Sequence, residues 1–310
     1  MSIMTDQRSV RGETGASGRK IGILGGDARQ LVLIRGLSRK YECAVWGFDR
    51  IYGTAEEKNL AEAVRCADWE SAVRGSDAVI LPLPCSTDGE TLNAPLTGKT
   101  PALAEIAEKM GRGTLLTGGM LPALFRRYAG EMGIVTADYF DSEELQIRNA
   151  VPTAEGAIAA CMNTLPVTVD GMTAAVFGYG RVGRILARRL LALGAKVFAV
   201  ARSVTDRAWA DCDGCIPVVL AEYREHPVFA DAVFNTVPHR IFDGELLSEM
   251  SPDTVIFELA RDGIDMEEAK KRGIRVIPLP SLPGKTSPVT AGEIIRSAVE
   301  DILDSGCGRI

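Results

Sequence analysis

Short apolar and β-branched runs alternate along the chain with stretches whose apolar residues recur at helical spacing. Near-continuous apolar strands between amphipathic helices predict a parallel sheet with crossover helices. In the first half the pattern predicts strands at 20–24, 43–48, 77–83, 114–117 and 134–137. In the second half it predicts strands at 173–177, 196–201, 232–236, 254–258 and 275–278. The halves share more than rhythm. Ser76-Asp-Ala-Val-Ile-Leu-Pro-Leu-Pro84 matches Ala230-Asp-Ala-Val-Phe-Asn-Thr-Val-Pro238, and the same spacing carries Gly26 onto Gly180. At a slightly shorter spacing Gly133-Ile falls on Gly273-Ile. A repeat this long reads as two similar α/β units, not a solenoid array.

Between the halves, Ser142 can cap a helix whose first turn carries Glu143 and Glu144. Pro152 is expected to break that helix, with a second one starting at Thr153 and Glu155 and running to about Leu165. Near the end of the chain, residues 290–303 are amphipathic and are expected to fold back across one of the units.

Composition narrows the class. A chain of 310 residues, 46% apolar and 25% charged, suits two globular domains. Its net charge of −6 disfavours nucleic acid as a partner, and no apolar run is long enough for a membrane span. The polar, Gly/Ser-rich start lacks the apolar core of a signal peptide, so a cytoplasmic protein is expected. Seven cysteines, odd in number and mostly isolated, fit a reducing compartment. Two histidines make no metal centre, and Cys212-Asp-Gly-Cys215 has neither a second pair nor a nearby His.

The chemistry concentrates in the second half. Gly178-Tyr179-Gly180-Arg181-Val182-Gly183 follows a predicted strand and opens a predicted helix. In that context GxGxxG is a dinucleotide-binding turn, with pyrophosphate resting on the helix N-terminus. The next strand ends in Arg202-Ser203, where an NAD-specific site would place an acid. An arginine there can grip a 2′-phosphate, so NADP is favoured over NAD. Asn235, Thr236, Val237 and Pro238 end a later strand beside the expected nicotinamide ribose, and His239 follows as a candidate for proton exchange. The first-half turn, Gly25-Gly-Asp-Ala-Arg29, lacks this spacing, and Arg29 would crowd a dinucleotide, so a substrate carboxylate is its expected ligand. Gly118 and Gly119 form a second turn whose amides could bind an anion.

These readings together predict two Rossmann-like parallel-sheet domains with a cleft between them. The expected boundaries are a flexible 1–18, a substrate domain 19–142, a helical connector 143–165, an NADP-binding domain 166–287 and a C-terminal helix 288–310.

The chain also resembles a known family. Gly25-Gly-Asp-Ala-Arg29, Asn149-Ala-Val-Pro-Thr-Ala-Glu-Gly156, the Gly178–Gly183 turn, Asn235-Thr-Val-Pro238 and Leu282-Pro-Gly-Lys-Thr-Ser-Pro-Val-Thr-Ala-Gly292 are together similar to the A subunit of dipicolinate synthase, over roughly residues 19–304. Ile256-Phe-Glu-Leu-Ala-Arg-Asp-Gly263 departs from the Asp-Leu-Ala-Ser pattern of that family. The resemblance implies a sporulation enzyme that makes pyridine-2,6-dicarboxylate, working with the flavoprotein-like B subunit of dipicolinate synthase. It implies NADP-dependent dehydrogenation of a dihydro- or hydroxytetrahydro-dipicolinate, with a dicarboxylate as substrate; a homo-oligomer is also expected. Aromatisation supplies the driving force, so positioning and charge neutralisation matter more than a strong base. Arg29, Arg148 and Lys285 are the candidate cations, with Asn149, Thr153 and Glu155 shaping the pocket and Lys285 beside His239 in the chemistry. Two other readings stay open: a two-domain 2-hydroxy-acid or amino-acid dehydrogenase, and a non-catalytic NADP-binding regulatory protein.

Overall fold

Apolar runs without alternation make strands buried on both faces, and the core follows from them. In a computed structural model, which describes residues 17–305, the first six strands are β1 (Ser17–Leu24), β2 (Tyr41–Trp46), β3 (Val64–Arg65), β4 (Ala78–Ile80), β5 (Leu115–Gly118) and β6 (Val135–Asp138). They form one sheet in the order β3-β2-β1-β4-β5-β6, and every neighbouring pair is parallel. The next six are β7 (Thr173–Phe177), β8 (Lys196–Ala201), β9 (Ile216–Val219), β10 (Ala232–Asn235), β11 (Val255–Glu258) and β12 (Arg275–Pro278). Their order is β12-β11-β10-β7-β8-β9, again all parallel.

Counted from its opening strand, each sheet has the same order: strands two and three lie on one side, strands four to six on the other. The sequence repeat is therefore a repeat of topology, and the aligned Asp-Ala-Val segments become β4 and β10. Both sheets are α/β Rossmann-like folds, as the alternation predicts. Two strands were not anticipated. β3 has two residues, both exposed, and β9 carries Pro217 at a sheet edge, where a missing N–H costs no ladder bond.

The chain divides into two compact units. One runs to Phe140 and includes the chain from Arg296 onward; the other is Asp141–Ile295. Of the expected flexible segment 1–18, residues 17 and 18 open β1 and the rest lie outside the described residues. Residues 306–310 lie outside them too. The helix Pro288–Asp304 folds back as expected, and its later part packs in the first unit. There Arg19 donates to the Leu303 carbonyl at 2.8 Å, Lys40 pairs with Glu300 at 2.9 Å, and Val299 and Leu303 are buried.

The expected break at Pro152 does not occur. Glu143–Thr164 is one helix of 22 residues with Pro152 inside, and Ser142 caps it by accepting from the Leu145 amide. Buried Ala150, Pro152, Ala154, Gly156, Ala157, Ile158 and Cys161 pack this helix into the second unit. Apolar packing on both sides of the proline outweighs the lost bond. Thr153 adds support by donating its hydroxyl to the Asn149 carbonyl at 2.8 Å. Among the described residues no helix is long and apolar enough to cross a membrane.

Candidate nucleotide site and its surroundings

The strand β7 runs into Gly178, and the helix Arg181–Ala192 begins directly after Gly180. Gly178 has φ +87°, and a Cβ there would press on Thr236 and Val237. A Cβ on Gly183 would overlap the Gly178 carbonyl, so this glycine lets helix and turn touch. Gly180 differs. Beyond its two chain neighbours, no protein atom lies within 4 Å of where its Cβ would stand, and its φ of −76° suits any residue. As the N-cap residue it offers the first-turn amides no side-chain acceptor. The turn thus leaves open space at a helix N-terminus, which is the cradle a pyrophosphate needs. The residues present fit a dinucleotide.

The other expected contacts fall around this turn in different ways. Val182 is half-buried in the first helical turn, while Tyr179 points inward at 4% exposure. Its hydroxyl donates to Asp213 at 3.1 Å, and burial pushes the phenol well above its ordinary range. Its side chain is therefore a core group, and only its backbone belongs to the turn. Arg181 makes a bidentate pair with Glu143, at 2.9 and 2.6 Å. Arg202 is exposed at the end of β8, and Ser203 caps the helix Val204–Cys212 by accepting from Asp206. Thr236 donates to the Phe177 carbonyl at 2.8 Å, tying the end of β10 to β7. Val237 is half-buried, Pro238 and His239 are exposed, and Lys285 is exposed on the short helix Leu282–Thr286.

Asn235 is fully buried. Its Nδ2 donates to both oxygens of Glu258, at 3.1 and 2.9 Å, and its Oδ1 accepts from the Val237 amide at 3.1 Å. Glu258 ends β11 and is 8% exposed. Burial raises its carboxyl above the ordinary range, and Asp262 adds to this, against hydrogen bonds from Asn235 and the Ala260 amide. Glu258 lines a cavity of about 370 Å³ with Arg261, Asp262, Gly263, Leu279 and Ser281 among its neighbours. Sequence reasoning picked Asn235 from its polar interruption of an apolar strand and missed Glu258. The signal was available, since a glutamate ending an apolar strand next to Asp262-Gly263 is equally out of place.

In the first unit, Asp27 caps the helix Ala28–Leu37 and holds Arg29 at 2.8 Å. Arg29 is 6% exposed and also donates to the Leu83 carbonyl. It is a buried, internally paired cation, not the open loop charge the turn suggested. The Gly118-Gly119 turn likewise gives its amides to the protein. Gly119 donates to the Pro82 carbonyl, while Met120 and Leu121 donate to the buried carboxylate of Asp138 at 3.0 and 2.7 Å. In the second unit, Arg148 and Glu155 sit on Glu143–Thr164 with partners of their own, Glu144 at 2.7 Å and Arg189 at 3.2 Å. Asn149 keeps a buried Oδ1 with no hydrogen-bond partner. Among the cysteines, burial pushes Cys85 up to about 12, with Asp138 adding to it. The Tyr179 hydroxyl lies 3.6 Å from Cys215 Sγ, so Cys215 is part of the packing under the turn, while Cys212 is exposed.

The sheet order and the glycine turn define a dinucleotide-binding protein with the Rossmann-type fold of the dehydrogenases. Residues 153–270 match the NAD-binding domain of the D-isomer-specific 2-hydroxyacid dehydrogenases. Residues 20–140 match the N-terminal domain of the dipicolinate synthase A subunit. The A subunit of dipicolinate synthase from Bacillus subtilis (strain 168) is 31% identical over 93% of this chain and 96% of its own. The crystal structure of that Bacillus subtilis protein superposes with a TM-score of 0.81, covering 93% of this chain and 97% of that one. The Bacillus halodurans dipicolinate synthase A subunit does so with a TM-score of 0.82 at 28% identity, over 95% and 99% of the two chains. The chain belongs to the family of dipicolinate synthase A subunits.

Proposed function

We propose that the protein is the catalytic NADP-dependent component that forms dipicolinate by dehydrogenating a dihydro- or hydroxytetrahydro-dipicolinate. The open cradle at Gly180 carries the nucleotide part of this reading, since the fold itself gives no reason for a glycine there, and the family membership supports the substrate. The nucleotide supplies hydride acceptance. The protein's part is to hold it, to neutralise two carboxylates, and to keep the reacting ring in register. Gly178–Gly183 would hold the pyrophosphate, and Thr236 and Val237 would border the ribose next to it. The Arg202 side chain, exposed at the tip of β8, would take the 2′-phosphate. The flavoprotein-like B subunit of the synthase is the expected partner, because the relatives are named as one component of a larger enzyme. Sporulating cells and the cytoplasm are its expected setting.

The deciding assay follows dipicolinate by its ultraviolet absorbance, with this chain alone and then with the B subunit added. Product under either condition, dependent on nucleotide, supports the reading; none under both would sink it. The match of 153–270 to 2-hydroxyacid dehydrogenases favours a second reading, in which 2-hydroxy acids are the substrates, and the same assay run with them separates the two. For the nucleotide, a charge-assisted contact at Arg202 should favour NADP⁺ over NAD⁺ by roughly ten- to a hundredfold. Arg202→Asp should reverse the order. Equal affinities in the unaltered protein, measured by calorimetry, would place Arg202 in solvent.

A further inference from the structure

The cavity beside β11 contains a carboxyl group that the nucleotide cradle does not use. Its burial, its place in the sheet and the shape of the loop around it converge on one role. Glu258 is buried at the end of a parallel strand, the edge of such a sheet where ligands bind. Its neighbour in the sheet is β10, whose end carries Asn235 and is tied through Thr236 to the glycine turn. From the turn, Arg202 lies on the β8 side and Glu258 on the opposite, β10–β11 side. A dinucleotide with its adenosine toward Arg202 would carry its nicotinamide toward Glu258. The loop that closes the cavity is shaped around the carboxyl. A Cβ on Gly263 would collide with Asn235 Nδ2 and come within 3.0 Å of Glu258 Oε2. Of the three non-glycine residues with positive φ among the described residues, Asp262 at 60° and Ser281 at 58° both line this cavity. Left-handed backbone at such residues is costly and gathers at functional sites.

We propose that Glu258 takes up the ring proton released when the substrate is dehydrogenated, with Asn235 as the residue that positions it. The inference rests on the proposed dehydrogenation. As a dihydropyridine ring becomes aromatic, one C–H bond breaks with its electron pair passing to the oxidised nicotinamide. A second ring hydrogen leaves as a proton to a Glu258 oxygen, and water later removes it. The bidentate Asn235 amide holds the carboxylate plane, and the Ala260 amide holds the same group from its own loop. Arg261 and Asp262 are the other charged groups lining the cavity. A carboxyl raised by burial and by Asp262 is, once ionised, a better base than an exposed one.

The test has two arms. Carbon-13 labelling of glutamate carboxyls, with Glu258→Gln to assign the signal, gives the Glu258 titration directly. Oxidised nicotinamide is cationic and the reduced ring is neutral. NADP⁺ should therefore lower the midpoint by about one pH unit, and NADPH should leave it nearly unchanged. In turnover, Glu258→Gln should slow hydride transfer by about 10²–10⁴-fold and remove the acidic limb of the pH profile. NADPH affinity should stay within about twofold, and Glu258→Asp should recover part of the rate. A midpoint indifferent to both nucleotides, or a Glu258→Gln protein with full rate and an unaltered pH profile, overturns the assignment. The titration needs no substrate. If NADP⁺ shifts the carboxyl but no dipicolinate forms, the proposed reaction fails and the proton transfer with it, and only the placement of Glu258 beside the nicotinamide stands. If dipicolinate forms and the carboxyl is indifferent, the assignment alone fails.

Discussion

At Gly183 the next atom out from the backbone would overlap the Gly178 carbonyl, whereas at Gly180 it would meet nothing. The two glycines of one turn therefore answer to different constraints, and substitution separates them. Gly183→Ala should destabilise the fold by about 1–3 kcal/mol, as overpacking does. Gly180→Ala should cost about 1 kcal/mol or less, through a poorer N-cap, while weakening nucleotide binding tenfold or more. Thermal melts with and without nucleotide check both; a Gly180→Ala protein with undiminished affinity would show that no ligand uses the space. The thiols give a second test at this scale. Burial pushes Cys85 up to about 12 and Cys43 and Cys161 up to about 11, while Cys212 is exposed. At pH 8 alkylation should mark Cys212 and spare the other three, as peptide mass analysis would show. Because folding raises these three values, the unfolded chain loses its thiol protons first as pH rises. Their contribution to stability is full below the unfolded value and falls away as pH climbs past it.

Among the elements, the helix Glu143–Thr164 shows where local rules lose. Pro152 carries a strong stop signal, and the packed face from Ala150 to Cys161 overrides it. Pro152→Ala restores an amide donor and relieves the ring's clash with the preceding turn, at the loss of some buried ring surface. We expect a net gain of about 1 kcal/mol and a rise in Tm of roughly 2–4 °C. A fall in Tm would mean that the ring's packing dominates. The central strands were legible because their apolar runs are buried on both faces, and the glycine turn was legible because its spacing, strand and helix occur together. The edge strands β3 and β9 were not: β3 has only two residues, both exposed, and Pro217 interrupts the apolar run of β9. Arg29 misled because its loop gave no sign of the Leu83 carbonyl, more than fifty positions away in sequence, that buries it. Glu258 escaped because its partner, Asn235, comes from another strand, and only register brings β10 and β11 side by side.

For the molecule as a whole, the second unit is one continuous stretch and the first is not. Truncation after Ile295 removes the buried side chains of Val299 and Leu303, each worth about 1.5–3 kcal/mol, together with the Glu300 partner of Lys40. The first unit should then unfold early while the second still binds nucleotide. Calorimetry with added NADP⁺ should resolve two transitions, of which only the upper responds to ligand; a single unshifted transition would contradict this. The same arrangement sets the order of events during synthesis. Domains fold as they emerge, and translation adds roughly 5–20 residues each second. The first unit leaves the ribosome early but lacks its closing helix until the whole second unit has followed, a delay on the order of ten to thirty seconds. The half made last is thus completed first, and for that interval the nascent first half has an uncovered apolar seam that a chaperone can hold.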